Sequence, residues 1–173
     1  MSEMPAVERR KPRSGSNGHD GPIRASAYVC TAASCVSAQS DQVLKLLGER
    51  VAGDGLDDVA VKRVGCLGLC AAGPLVSIPE TGHMFEHVTP DGLDSIVDML
   101  TTVKPTGKME KQAPFFSKQL RVATENMGIV DPESVDDYIS RGGYEALRQV
   151  LTTMTGAEVR DEITRSGRAG RCG

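Results

Sequence analysis

The sequence predicts an α/β domain with the element order β-α-β-β-β-α over residues 23–103, followed by a short helical segment. Three observations carry that prediction. Two strand-like runs, residues 23–29 and 59–64, each lead straight into a pair of cysteines. Two stretches with apolar residues at helical spacing follow, one after each cysteine loop. Between the second cysteine pair and the second helix, a proline and glycine turn separates two further short apolar runs, as in a hairpin.

Each element has a local reason. Residues 1–22 are rich in Ser, Gly, Pro and charge, with too few large apolar side chains to offset the entropy of ordering, so a disordered arm is expected there. Ile23, Ala25, Ala27 and Val29 then alternate with Arg24, Ser26 and Tyr28, the period of a strand that ends at Cys30. After a short loop, Ser40 is expected to cap a helix whose Val43, Leu44, Leu47 and Val51 share one face and which stops at Gly53-Asp54-Gly55. Residues 59–64 form a β-branched run that enters Gly65-Cys66-Leu67-Gly68-Leu69-Cys70. Residues 75–78 and 84–88 read as strands joined through Pro79-Glu80-Thr81-Gly82. Thr89-Pro90 supplies a cap and a first-turn proline ahead of Leu93, Ile96, Val97 and Leu100.

Residues 104–119, with prolines, a glycine and scattered lysines, read as a linker, and residues 120–173 as helical. Asp131-Pro132-Glu133 is the expected helix start, Gly142-Gly143 an interruption, and Tyr144, Leu147 and Leu151 a resumed apolar stripe. Thr155 and Glu158 have capping-box spacing for a last helix through about Ile163. Residues 120–173 are expected to be loosely ordered when alone, because the stripes at Leu147 and Leu151 lack the domain they would pack against.

Composition narrows the function classes. Twenty Lys and Arg stand against 23 Asp and Glu, a net charge of -3, which provides no field for nucleic acid. Apolar stretches end well short of the roughly 18 residues of a membrane span, so no direct membrane insertion is expected. Arg9-Arg10 leads into Lys11-Pro12-Arg13 rather than an apolar core, which argues against an export signal and makes the cytoplasm the expected compartment. There, grouped cysteines serve metal or redox chemistry more often than disulfides.

Cys30 and Cys35 are separated by four residues, Cys66 and Cys70 by three, and thirty residues lie between the pairs. Neighbouring strands would bring the two loops together. A [2Fe-2S] core needs two sulfur ligands on each iron, which two cysteine pairs can supply. Gly65, Gly68 and Gly73 would let backbone N–H groups approach the sulfurs. Zinc also takes four thiolates but fits these spacings only loosely, and a non-redox zinc module that docks a partner stays as the alternative. Neither pair has the Cys-x-x-Cys spacing of a redox dithiol. Cys172 has no partner at ligand spacing and reads as a free thiol.

The stretch Cys30-Thr31-Ala32-Ala33-Ser34-Cys35, followed by Val64-Gly65-Cys66-Leu67-Gly68-Leu69-Cys70-Ala71-Ala72-Gly73-Pro74, resembles the thioredoxin-like [2Fe-2S] ferredoxins of NADH dehydrogenases and of NAD-linked hydrogenases and formate dehydrogenases. That resemblance implies a thioredoxin-like fold, a [2Fe-2S] cofactor, and Cys30, Cys35, Cys66 and Cys70 as its ligands. A second resemblance covers roughly residues 115–173. Asp131-Pro132-Glu133-Ser134, Asp136-Asp137-Tyr138-Ile139 and Gly142-Gly143-Tyr144-Glu145-Ala146-Leu147 are similar to the start of the flavin-carrying, NADH-oxidising subunit of the same enzymes. Residues 166–173 are similar to the entry of that subunit's glycine-rich loop, with Arg168-Ala169 where the family usually has Leu-Arg and Cys172 where it has Gly. The resemblance implies one-electron transfer within an NADH-linked oxidoreductase, with a flavin subunit and other redox subunits as partners. FMN and NAD are expected only in the parent enzyme and not on this chain, so enzyme status for the chain itself is left open and no catalytic residue is assigned.

Some residues invite a different reading. His83 and His87 would sit about 13 Å apart on a strand and are expected to be ordinary polar positions. Phe115-Phe116 is expected to tuck onto its own domain, and Asp136-Asp137 to be a solvated helix face.

Overall fold

The structure is a computed structural model, and it describes residues 22–103, 116 and 118–170. The expected arm, most of the linker and Cys172 lie outside the described residues. Strand β1 (Ala25–Cys30) is followed by a short helix α1 (Ala33–Ser37) and a longer α2 (Ser40–Gly53), then β2 (Val59–Val64). A 3-10 turn at Cys70–Ala72 precedes β3 (Val76–Ile78) and β4 (His83–Phe85), and a second at Pro90–Gly92 leads into α3 (Leu93–Thr102). The mixed sheet has the order β2-β1-β3-β4: β1 runs parallel to β2 and antiparallel to β3, and β3 pairs antiparallel with β4.

The main core follows from the alternation. Ala25, Ala27 and Val29 of β1 and Val59 and Val61 of β2 are buried with Val43, Leu47 and Val51 of α2 and Leu93, Ile96, Val97 and Leu100 of α3. Each fully buried large aliphatic side chain contributes about 1.5–3 kcal/mol by leaving water. A second, smaller cluster joins Cys30, Cys35, Val64, Leu67 and Leu75 at one end of the sheet. Arg24 locks the opposite end. Its guanidinium donates to both oxygens of Asp58, at 2.6 and 3.1 Å, and to the carbonyls of Leu100 and Val103 at 2.7 and 3.0 Å, occupying acceptors that α3 leaves unpaired at its C-terminus.

Several local expectations change. The loop after Cys30 contains helix α1, so Cys35 stands on a helix. Ser40 is the first residue of α2 rather than its cap; Gln39 takes the cap position with a left-handed backbone, φ 70°, and Ser40 Oγ is buried without a hydrogen-bond partner among the described residues. The strand expected at 84–88 ends at Phe85, because His87 turns with φ 51° and donates its N–H to the Ala72 carbonyl. His83, in β4, packs edge-on against the Phe85 ring.

Further along the chain, α4 (Val135–Ser140), α5 (Glu145–Thr153) and α6 (Gly156–Arg165) follow in order. The capping box of Thr155 and Glu158 is complete. The start expected at Asp131 moves to Ser134, whose hydroxyl accepts from the Asp137 N–H; the Asp131 carboxylate instead closes a turn onto the Glu133 N–H. Asp137 is not a solvated residue. Its carboxylate meets Lys62 Nζ at 2.6 Å and accepts from the Asp131 N–H at 2.7 Å.

Residues 128–137 are therefore held on the domain rather than loose. Lys62 also donates to the Ile129 carbonyl at 2.9 Å, the Gly65 N–H reaches the Val130 carbonyl at 3.3 Å, and Arg63 pairs with Glu133. Sequence periodicity could not foresee this, because the anchors are charges on an edge strand. Among the described residues no helix is long and apolar enough to cross a membrane.

Candidate metal centre

The parallel pairing of β1 and β2 sets the site. Cys30, the last residue of β1, lies opposite Val64, the last residue of β2, so the two cysteine loops leave the sheet side by side. The Thr31 N–H and hydroxyl both donate to the Val64 carbonyl, at 2.9 and 3.2 Å, and tie the first loop to the start of the second. Cys30 N–H donates to the Leu75 carbonyl at 3.0 Å, which ties it to the chain after the second loop.

Within this frame the four thiols fall on a gradient of exposure. Cys30 and Cys35 are each 1% exposed, Cys66 is half-buried, and Cys70, opening the 3-10 turn, is exposed. Cys66 Sγ and Cys70 Sγ are 3.6 Å apart. Two thiolates on one tetrahedral metal, with bonds of about 2.3 Å, stand roughly 3.7 Å apart, so this pair suits a single metal ion. Cys35 faces the far side of the same loop: a Cβ placed on Gly73 would lie 2.9 Å from Cys35 Sγ. Glycine there leaves the room that the thiol occupies, although its φ of -69° is open to any residue. Among the described residues no three Cys, His, Asp or Glu side chains gather tightly enough to hold one metal ion. Cys66 and Cys70 stand as a close pair, which is what a binuclear centre requires of each iron.

The electrostatics fit a centre that must supply positive charge. Burial among Val64, Leu67 and Leu75 pushes the Cys35 thiol up to about 12, with the neighbouring Cys30 thiol adding and the Leu75 N–H opposing. Burial also raises Cys66, opposed by the Gly68 N–H, which donates to its sulfur at 3.3 Å. Without metal these thiols hold their protons; a bound cationic centre would release them. The donor set thus fits an iron–sulfur group.

The glycine expectations divide. Gly68 does direct its N–H at a sulfur. Gly65 directs its N–H at the Val130 carbonyl instead, and Gly73 serves by its missing side chain. The contribution of Phe116 and residues 118–137 was not legible in the sequence. Gly128, with φ 77°, presses on the second loop so closely that a Cβ would lie 2.8 Å from Leu67 Cδ2 and 3.4 Å from the Cys66 carbonyl. Its place after Asn126-Met127 marks a turn, but no local signal names what the turn touches. Phe116 does tuck against the domain, beside Gly68; Phe115 lies outside the described residues.

Comparison with known proteins adds a family resemblance. Residues 22–101 match the family model of the thioredoxin-like [2Fe-2S] ferredoxins. The NADP-reducing hydrogenase subunit HndC of Solidesulfovibrio fructosivorans is 62% identical over 56 residues, 32% of this chain and 11% of that protein, so the chain spans about a tenth of the length of this curated relative. The crystal structure at 1.5 Å resolution of the wild-type thioredoxin-like [2Fe-2S] ferredoxin from Aquifex aeolicus is 21% identical, with a TM-score of 0.43, covering 50% of this chain and 95% of that one. A second structure of a thioredoxin-like [2Fe-2S] ferredoxin from Aquifex aeolicus has the same identity and TM-score and is covered over 89% of its length.

Proposed function

We propose that this chain, a thioredoxin-like [2Fe-2S] ferredoxin domain over residues 22–101, relays single electrons within an NAD(P)-linked oxidoreductase, with Cys30, Cys35, Cys66 and Cys70 as the ligands of its cluster. The observation that carries the ligand assignment is the meeting of two cysteine loops at the ends of paired strands, with Cys66 Sγ 3.6 Å from Cys70 Sγ. When bound, the cluster supplies a group that accepts and returns one electron at a time. The residues around it set its surroundings. Val64, Leu67 and Leu75 keep water from the Cys30 and Cys35 side. The N–H groups of Gly68 and Leu75 offset negative charge on Cys66 and Cys35. Cys70 is exposed and places one ligand within reach of a redox partner.

A hydrogenase is the parent type this reading favours, since one matching curated relative is a subunit of an NADP-reducing hydrogenase; dehydrogenases of NADH and formate are the other types considered. Nicotinamide delivers two electrons together and the cluster takes one, so a flavin-bearing partner is required between them. Residues 120–173 are read as the beginning of that partner's fold, followed in the parent enzyme by further redox subunits. Protein purified without oxygen should carry about two irons and two acid-labile sulfides per chain. Dithionite should then produce an electron paramagnetic resonance signal from one unpaired spin. Stoichiometric zinc without sulfide would replace this reading with the structural-zinc alternative.

A further inference from the structure

We propose that residues 118–137 act as a built-in cover for the Cys66–Cys70 loop, and that Arg121, carried on this cover, is a positioning residue that raises the reduction potential of the site. The inference rests on the cluster reading given above. Three contacts define the cover. Lys62 clamps its far end through the Ile129 carbonyl and Asp137, and lies 5.3 Å over the Tyr28 ring, with its side chain 20% exposed. Gly128 seats its middle against Leu67 and the Cys66 carbonyl. At its near end the Arg121 guanidinium stacks 5.6 Å over the Phe116 ring, and a Cβ on Gly68 would lie 3.5 Å from Arg121 Nη2.

Gly68 is the residue whose N–H donates to Cys66 Sγ. Arg121 thus holds a positive charge against Gly68, in the loop that carries the more exposed cysteine pair. Its stacking on Phe116 keeps the group oriented and partly dehydrated, which strengthens its field at short range. One-electron reduction of the site by an external reductant adds one negative charge and no proton need move. A cation beside the loop stabilises that added charge, so the reduced form is favoured. Arginine suits the task because its planar guanidinium can lie over an aromatic ring.

The test uses the full chain with its cluster and a redox titration followed by electron paramagnetic resonance. Arg121→Gln should shift the reduction equilibrium about threefold to tenfold toward the oxidised form, where tenfold corresponds to about 59 mV for one electron. Arg121→Glu should shift it further in the same direction, and Arg121→Lys should restore most of the original midpoint. Asp137→Asn separates the cover from its charges: loss of a carboxylate alone would raise the midpoint, whereas undocking of the cover should lower it and speed hydrogen exchange at the Gly65 amide. An unchanged midpoint in Arg121→Gln at full iron and sulfide content would overturn the role of Arg121. Unchanged hydrogen exchange at the Gly65 amide in Asp137→Asn would overturn the cover, whichever way the midpoint moves. Failure of the cluster reading would look different, as an unmutated chain without two irons and two sulfides.

Discussion

Helices α2 and α3 and helices α5 and α6 carry apolar stripes of similar period, yet they end in different surroundings. Leu47 and Leu100 are 0% exposed, packed on the sheet, whereas Leu147 and Leu151 are 51% and 75% exposed. Among the described residues of 118–170 only Gly128 is buried, and it is buried because the domain covers it. Periodicity therefore predicts that a helix forms, but burial needs a facing surface. The sheet of residues 25–85 supplies one to its own helices and none to α5 and α6. The stretch between them is held by a third means, charges on β2 gripping a backbone carbonyl and two carboxylates.

Substitutions can break or sharpen this contrast. The largest difference is expected at the cysteines. Serine at Cys30, Cys35, Cys66 or Cys70 should remove most of the iron and sulfide, while Cys172→Ser leaves both at the unmutated level, by metal analysis of anaerobically purified protein. A requirement for Cys172 would show that the ligands were assigned wrongly. Next comes the core: Leu47→Ala should cost about 2–5 kcal/mol in urea unfolding of the domain, against about 0.5 kcal/mol or less for Leu151→Ala. Equal effects would mean that α5 has an apolar surface to face after all.

Gly73→Ala is expected to fall between these. The added methyl would compete with Cys35 Sγ for the same space and should cost about 1–3 kcal/mol, read as faster cluster loss to a chelator with the α2 and α3 amides still protected. Retention of the cluster at the unmutated rate would show that the loop can shift freely.

The smallest effect is acid sensitivity. The hydrogen bond from Arg24, aided by its charge, holds the Asp58 carboxyl below its usual range. A carboxyl depressed in the folded state contributes stability that is complete above its unfolded pKa, about 3.9, and is lost as pH falls through the lower folded value. Because Asp58 is 46% exposed, the contribution should be only about 0.2–1 kcal/mol. Urea midpoints of the domain should hold steady from pH 7 to about 5 and fall below about 4, and Asp58→Asn should flatten part of that fall. Glu158 is depressed by the Thr155 N–H and hydroxyl, so acid should fray the start of α6 in the same direction without disturbing the core. A domain whose midpoint rises on acidification would contradict the Arg24 clasp.

Legible in residue order were the features that repeat over a few positions. The alternation of Ala25, Ala27 and Val29, the face of Val43, Leu47 and Val51, and the capping box at Thr155 and Glu158 are each defined by residues two to four apart, and each is present. The convergence of the cysteine loops was nearly as legible, because each pair follows a strand and parallel neighbours end on the same side. Tertiary structure decided the rest. Which N–H groups serve the sulfurs, why Gly65 serves Val130 instead, and how far Cys35 is pushed up while Cys70 stays at the surface depend on surroundings assembled from distant segments. Lys62 and Ile129 meet across 67 positions, and neither has a local pattern that names the other. Hydrogen bonds and ion pairs of that kind exist only once the sheet has placed its edge, which is why the docked segment emerges from the fold and not from the order of its residues.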